Sequence, residues 1–261
     1  MKRGARVVVV LLVLAGLLVV GDFAAAAVAE SAVSRQLRDQ LGLRTDPDVR
    51  INGFPFTTQA LAGEYGSVDV AADGVAVGEL RDLEVSAQLR DVRAPLSALL
   101  GSGPRTLVVG EAEGTVRVSA DGVERLVGGV RRLRIDTLDA AALQVAVDNG
   151  GDPGLAGLDP DRAAHFVGLT SVLGQDVEFF VIAVLDLVDG QILVEPRDVV
   201  LGAAAFAVPD VLSDQLEERF TVRIDPGVLP LEVTPTQVRA RDGHLEISGR
   251  TEGLVLGGSA P

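Results

Sequence analysis

The chain has 261 residues, no cysteine, no tryptophan and a formal net charge of −14 at neutral pH. The missing cysteines exclude disulfides, thiol chemistry and a cysteine-linked lipid anchor. The acidic balance speaks against nucleic acid as a partner and against simple adhesion to anionic lipid, so any lipid contact is expected to be hydrophobic and enclosed.

Lys2, Arg3 and Arg6 precede Val7–Val20, a run without charge. As a helix this run is ~21 Å long at ~1.5 Å per residue, short of a ~30 Å hydrocarbon core. Ala27-Val28-Ala29 offers a small-x-small cleavage site, so residues 1–29 read as a signal peptide removed near Glu30. The alternative is an uncleaved, tilted anchor, because only Asp22 is charged between Val7 and Ala29. Either way the basic residues hold the N-terminus in the cytoplasm, and the rest of the chain is expected in the periplasmic space or cell envelope, anchored or released. Without the three basic residues the formal net charge becomes −17. About 230 residues remain beyond the signal, and residues 30–257 are expected to form a single domain, with 258–261 as a tail.

From Ala26 to Leu41 the pattern is helical, with Val33, Leu37 and Leu41 on one face and Gly42 as the stop. Next comes Ile51-Asn52-Gly53-Phe54-Pro55-Phe56. Gly53 can take positive φ and Pro55 fixes its own φ, which predicts a bent, stiff, strand-like segment with its two rings on opposite sides. Leu83, Val85, Ala87 and Leu89 then alternate with polar residues, as do Ala112, Gly114, Val116 and Val118, and Leu133 with Ile135. A short strand is read at 143–147, and Asp148–Asp159 as a mobile segment or internal boundary. Pro160–Leu173 reads as a helix begun by Asp159 and Pro160. Val177–Val188 is apolar on both faces and must be covered on both sides or line a cavity with one. Pro209–Phe220 reads as a helix with Leu212, Leu216 and Phe220 on a narrow stripe; its acidic opposite face suits closure of one end of a groove better than adsorption to a membrane. Val228–Val233 and Leu245–Ile247 complete the strands. Of four Asp-Gly pairs, those at 189–190 and 242–243 predict tight hairpins most strongly, and Asp121-Gly122 opens a short helix.

The segment Gly53-Phe54-Pro55-Phe56, with Leu61-Ala62-Gly63 and Val68-Asp69-Val70 behind it, resembles the Gly-Phe-Pro-Phe signature of the LmeA-like phospholipid-binding family of actinobacterial cell envelopes. The resemblance runs from about Ala24 to Leu256 and is clearest at 24–93 and 176–256. It implies half of a tubular lipid-binding module, with a long, highly curved, mostly antiparallel sheet wrapped around the N-terminal helix and two or three shorter helices beside it. The fold class is therefore α+β. A second turn in the family resembles a Pro-Phe element, which here is Pro230-Leu231.

The resemblance implies non-catalytic binding of phospholipid or a related acyl or polyprenyl lipid, for carriage or envelope building. A sealed scaffolding protein is the alternative. An acyl chain needs a long dry groove, in which each buried CH₂ contributes roughly 0.8 kcal/mol. Its expected lining is Phe54, Phe56, Leu61, Phe179, Phe206, Leu212, Leu216, Phe220, Leu229 and Leu231, with head-group contacts from Arg50, Arg93 or Arg223. Two histidines, His165 and His244, and no nucleophile elbow, phosphate loop or paired metal-ligand histidines give catalysis little to use. Neither a cofactor nor a metal is expected. The aspartates of 148–161 lack the ligand spacing and closing glutamate of a calcium loop and read as a solvated turn.

Overall fold

The computed structural model describes residues 2–77, 80–99, 107–172, 174–188, 191–202, 221–224 and 235–256. In chain order these form α1 (Lys2–Leu41), β1 (Asp48–Asn52), α2 (Phe56–Ala62), β2 (Glu64–Val77), β3 (Leu80–Arg93), α3 (Leu96–Leu99), β4 (Leu107–Ser119), α4 (Ala120–Val127), β5 (Val130–Thr137) and α5 (Ala140–Asp148). Beyond them lie β6 (Ala163–Val172), β7 (Gln175–Val188), β8 (Gln191–Leu201), β9 (Val222–Ile224), β10 (Pro235–Arg241) and β11 (His244–Leu256). The class is α+β, and the strands lie in two antiparallel sheets ordered β1-β2-β3-β4-β11-β10 and β5-β6-β7-β8-β9. The expected helix at 209–220 and strand at 228–233 lie outside the described residues.

The chain divides into two compact units, one of residues 1–73, 86–113 and 251–261, the other of 74–85 and 114–250. The divisions fall inside β2, β3, β4 and β11 rather than in the loop 148–159.

In the first unit α1 runs unbroken through the expected cleavage site. It ends at Gly42, whose φ of 63° lets the Leu43 N–H reach back to the Arg38 carbonyl at 3.0 Å. Its packed stripe differs from the expected Val33/Leu37/Leu41 face: Asp22, Ala29 and Ser34 are buried, Val33 and Leu37 are half-buried, and Leu41 is exposed. Small side chains let the helix approach closely, so the contact follows Ala and Ser more than the larger apolar residues. Ser34 Oγ donates to the Pro47 carbonyl at 2.6 Å, and the Ile51 N–H donates to Glu30 Oε1 at 2.8 Å. These bonds fasten α1 to β1, which pairs along its other side with β2.

One turn expectation and one strand pattern are corrected. Asp73-Gly74 makes no hairpin but lies within β2, where Gly74 has φ of 72°. In β3 the alternation slips by one residue at Asp82 and again at Asp91, both at positive φ, so the buried residues are Leu80 and Leu83, then Leu89 and Val92. Asp242-Gly243 is the tight turn expected: φ is 50° and 80°, and Arg241 pairs with His244.

The second unit holds the five-stranded sheet. Its β6 replaces the helix expected over 160–173, of which only the 3-10 turn Pro160–Arg162 remains. Phe166 faces Ile135 of β5 on one side and Val181 of β7 on the other, so β6 is a central strand buried on both faces. Such a strand reads as a continuous apolar run and gives no period to tell it from a helix. The converse error occurs at 143–147, expected as a strand but lying in α5. There Asp139 caps the helix by accepting from the Ala142 N–H at 2.7 Å. Leu155, in the 3-10 turn Pro153–Gly157, packs with Leu143, Ala163 and Ile182, tying the loop after α5 into the core. The helix α4 opens where Asp121-Gly122 predicted it, with Ser119 Oγ accepting from the Gly122 N–H.

Glu246 of β11 is buried and forms ion pairs with Arg239 of β10 at 2.6 Å and Arg117 of β4 at 3.1 Å. Burial pushes its carboxyl up, but the hydrogen bonds and charges of the two guanidinium groups outweigh that and leave it below the ordinary glutamate range. A carboxylate lowered in the folded state stabilises the fold above its unfolded value of about 4.3 and loses that contribution as pH falls through the folded value. Glu246→Gln is therefore expected to lower stability at pH 7 and to flatten the acid limb of the stability profile. Urea melts at pH 7 and in the acid range measure both; an unchanged acid limb would remove Glu246 from this role.

Candidate functional site at the α1–α2 junction

Pro55 gives α2 its start, but its side chain accepts nothing from the helix. The missing cap comes from α1. Asp22 Oδ2 accepts from the Phe56 N–H and Asp22 Oδ1 from the Thr57 N–H, both at 2.7 Å, and Oδ1 also accepts from Thr57 Oγ1. The single charge between Val7 and Ala29 is thus buried against the N-terminus of α2, where the first helical N–H groups otherwise lack partners. At the other end Gly63 closes α2 with φ of 70°, and a Cβ there would stand 3.1 Å from the Ala94 carbonyl oxygen.

The two rings flanking Pro55 part company, as the sequence suggested, though by a turn into a helix rather than along a strand. Phe56 opens α2, is only 4% exposed and packs on Tyr65 with ring centroids 6.4 Å apart. Phe54 is 60% exposed and stacks at 6.0 Å on Phe23 of α1, itself 63% exposed. Leu61 of α2 is 86% exposed. One short junction therefore presents three large apolar side chains to solvent, beside a helix whose residues Val7 to Val20 are apolar and outward-facing. Phe23 and Asp22 were not among the expected site residues. Asp22 left one signal in the sequence, as the lone charge in an apolar run.

Of the other expected lining residues, Phe179 lies in the second unit and is 1% exposed. Phe206, Leu212, Leu216, Phe220, Leu229 and Leu231 lie outside the described residues. Arg50 and Arg93 are exposed beside Asp48 and Glu64 at 3.5 and 3.8 Å, and Arg223 is exposed in β9.

The histidines take structural places. His165, expected in a helix, lies in β6, stacks at 6.2 Å on Phe180 and stands 3.9 Å from Asp136. Burial lowers its pKa more than the nearby Asp136 raises it, so the ring is neutral at pH 7. His244 Nδ1 lies 2.8 Å from the Asp242 carbonyl oxygen beside the β10–β11 turn. In the loop after α5, Asp152 accepts from the Gly154 N–H and Asp159 from the Asp161 N–H, the local bonds of Asx turns.

These features define an α+β protein with an N-terminal helix long and apolar enough to cross a membrane and a cluster of exposed apolar side chains where that helix meets the folded chain. The chain belongs to the LmeA-like phospholipid-binding family, whose model matches residues 20–250. Neither a curated protein nor a solved structure matches it.

Proposed function

We propose that the protein binds phospholipid or a related acyl or polyprenyl lipid in the cell envelope, on the outer face of the cytoplasmic membrane, and carries or presents that lipid during envelope building without catalysing a reaction on it. The observation that carries this reading is the exposed Phe23, Phe54 and Leu61 within the span that matches a phospholipid-binding family. Large apolar side chains gathered at one place on a protein surface mark a binding site rather than ordinary surface composition. Lys2 and Arg3 before the apolar run support export of the chain beyond it. The net charge of −14 supports an apolar mode of lipid contact over a basic one.

Burial of Phe56 and Phe179 favours the competing reading of a scaffold with a sealed core. Extraction of the purified full-length protein with organic solvent, followed by mass spectrometry, separates the two. Lipid carriage requires phospholipid or polyprenyl lipid to co-purify in an amount near equimolar with the protein and to exchange into acceptor vesicles. A protein that yields no lipid and takes none from donor vesicles is the scaffold.

A further inference from the structure

We propose that α1 stays attached to the mature protein and that Phe23, Phe54 and Leu61 seat the α1–α2 junction at the boundary between hydrocarbon and head groups of the bilayer α1 crosses. This rests on reading α1 as a membrane helix and goes beyond it by fixing which side chains meet the lipid.

The lengths carry the first step. Val7–Val20 is too short by about 9 Å, or roughly six residues, to cross a ~30 Å hydrocarbon core. The next six residues are Gly21 to Ala26, and they contain Asp22 and Phe23. A bare carboxylate there would be costly in lipid, but Asp22 is buried and takes three hydrogen bonds from the first turn of α2. The span therefore completes itself only with α2 docked on it. By the same count Asp22 lies four residues, about 6 Å, before Ala26, which places Phe56 and Thr57 just inside the level where hydrocarbon ends, with Phe54 stacked on Phe23 beside them. Leu61 lies five residues beyond Phe56, about 7.5 Å along α2. Phe and Leu side chains at this depth insert as apolar contacts where head groups meet acyl chains.

Processing is the second step. The bond after Ala29 lies inside an unbroken helix, and Ala29 is buried. Cleavage there would remove the cap of α2 and the ring stacked on Phe54. The family match begins at residue 20, before these residues.

Because the chain has no tryptophan, Phe54→Trp and, separately, Leu61→Trp supply single fluorescent reporters. Full-length protein is reconstituted into phosphatidylcholine/phosphatidylglycerol vesicles carrying bromine at shallow or deep acyl positions. The expected result is emission shifted to shorter wavelength and quenched more by shallow than by deep bromine for both reporters. Intact mass of protein from its native host is expected to include residues 1–29. Vesicle-bound protein with water-like, unquenched emission at both positions would overturn the seating while leaving the anchor intact. A native N-terminus near Glu30 would overturn the anchor and the seating together. A blue shift without vesicles that grows with protein concentration would assign the face to a second copy of the chain, and so overturn lipid as its occupant. A thermal melt of each variant against the parent confirms that the reporter is read in the native fold.

Discussion

Phe56→Ala will destabilise the first unit by about 3–5 kcal/mol, the range for removing a buried phenyl ring. Phe54→Ala, two residues earlier, will cost no more than about 1 kcal/mol, the scale of a stacked pair at an exposed position. The contrast comes from environment alone. Phe56 is 4% exposed and lies against Tyr65, whereas Phe54 is 60% exposed against Phe23. Function should divide the other way. Phe54→Ala removes a ring proposed to face lipid and should slow lipid transfer between vesicles while leaving the melt cooperative. Equal stability losses at both positions with transfer unchanged would make the pair ordinary core and end the assignment of Phe54 to a lipid-facing role. Urea unfolding and a fluorescent-lipid transfer assay on the two variants supply both readings.

Phe179→Ala will cost a similar ~3–5 kcal/mol in the second unit, and the loss will be coupled to Gly168. The two residues face each other across β6 and β7, and the Phe179 ring lies over the bare backbone of Gly168. A Cβ at Gly168 would stand 2.9 Å from Phe179 Cε1 and 3.1 Å from the Arg131 carbonyl oxygen. Gly168→Ala alone should therefore cost about 1–3 kcal/mol through overpacking. In the double variant the added methyl no longer meets a ring, so the combined loss should fall short of the sum by about 0.5–3 kcal/mol. Strict additivity would show that the ring does not rest on Gly168. If Phe179 also lines a lipid tunnel, its alanine variant will change lipid affinity as well as stability, and affinity measured on folded protein below the melt tests that separately.

What the sequence determined reflects which physics is local. Alternation located β4, β5 and the Leu83–Leu89 stretch of β3, because half-buried strands repeat every two residues. Gly42 marked the end of α1, Asp242-Gly243 the β10–β11 hairpin and Asp121-Gly122 a helix start, since each depends on the dihedral or capping habits of a few neighbouring residues. The resemblance to a phospholipid-binding family was legible for the same reason, through the short pattern around Phe54-Pro55-Phe56. Where burial on both faces erased the period, local reading failed and β6 passed for a helix. The helix α5, capped by Asp139 and burying only Leu143, passed for a strand because Leu143, Val145 and Val147 recur at every second residue. The site's decisive contact was further still from local. Asp22 lies 34 residues from the N–H it caps. The sequence showed it as a lone charge in an apolar run, and only the tertiary fold, by bringing α2 onto α1, decided that this charge is satisfied and that Phe23 and Phe54 meet at the surface.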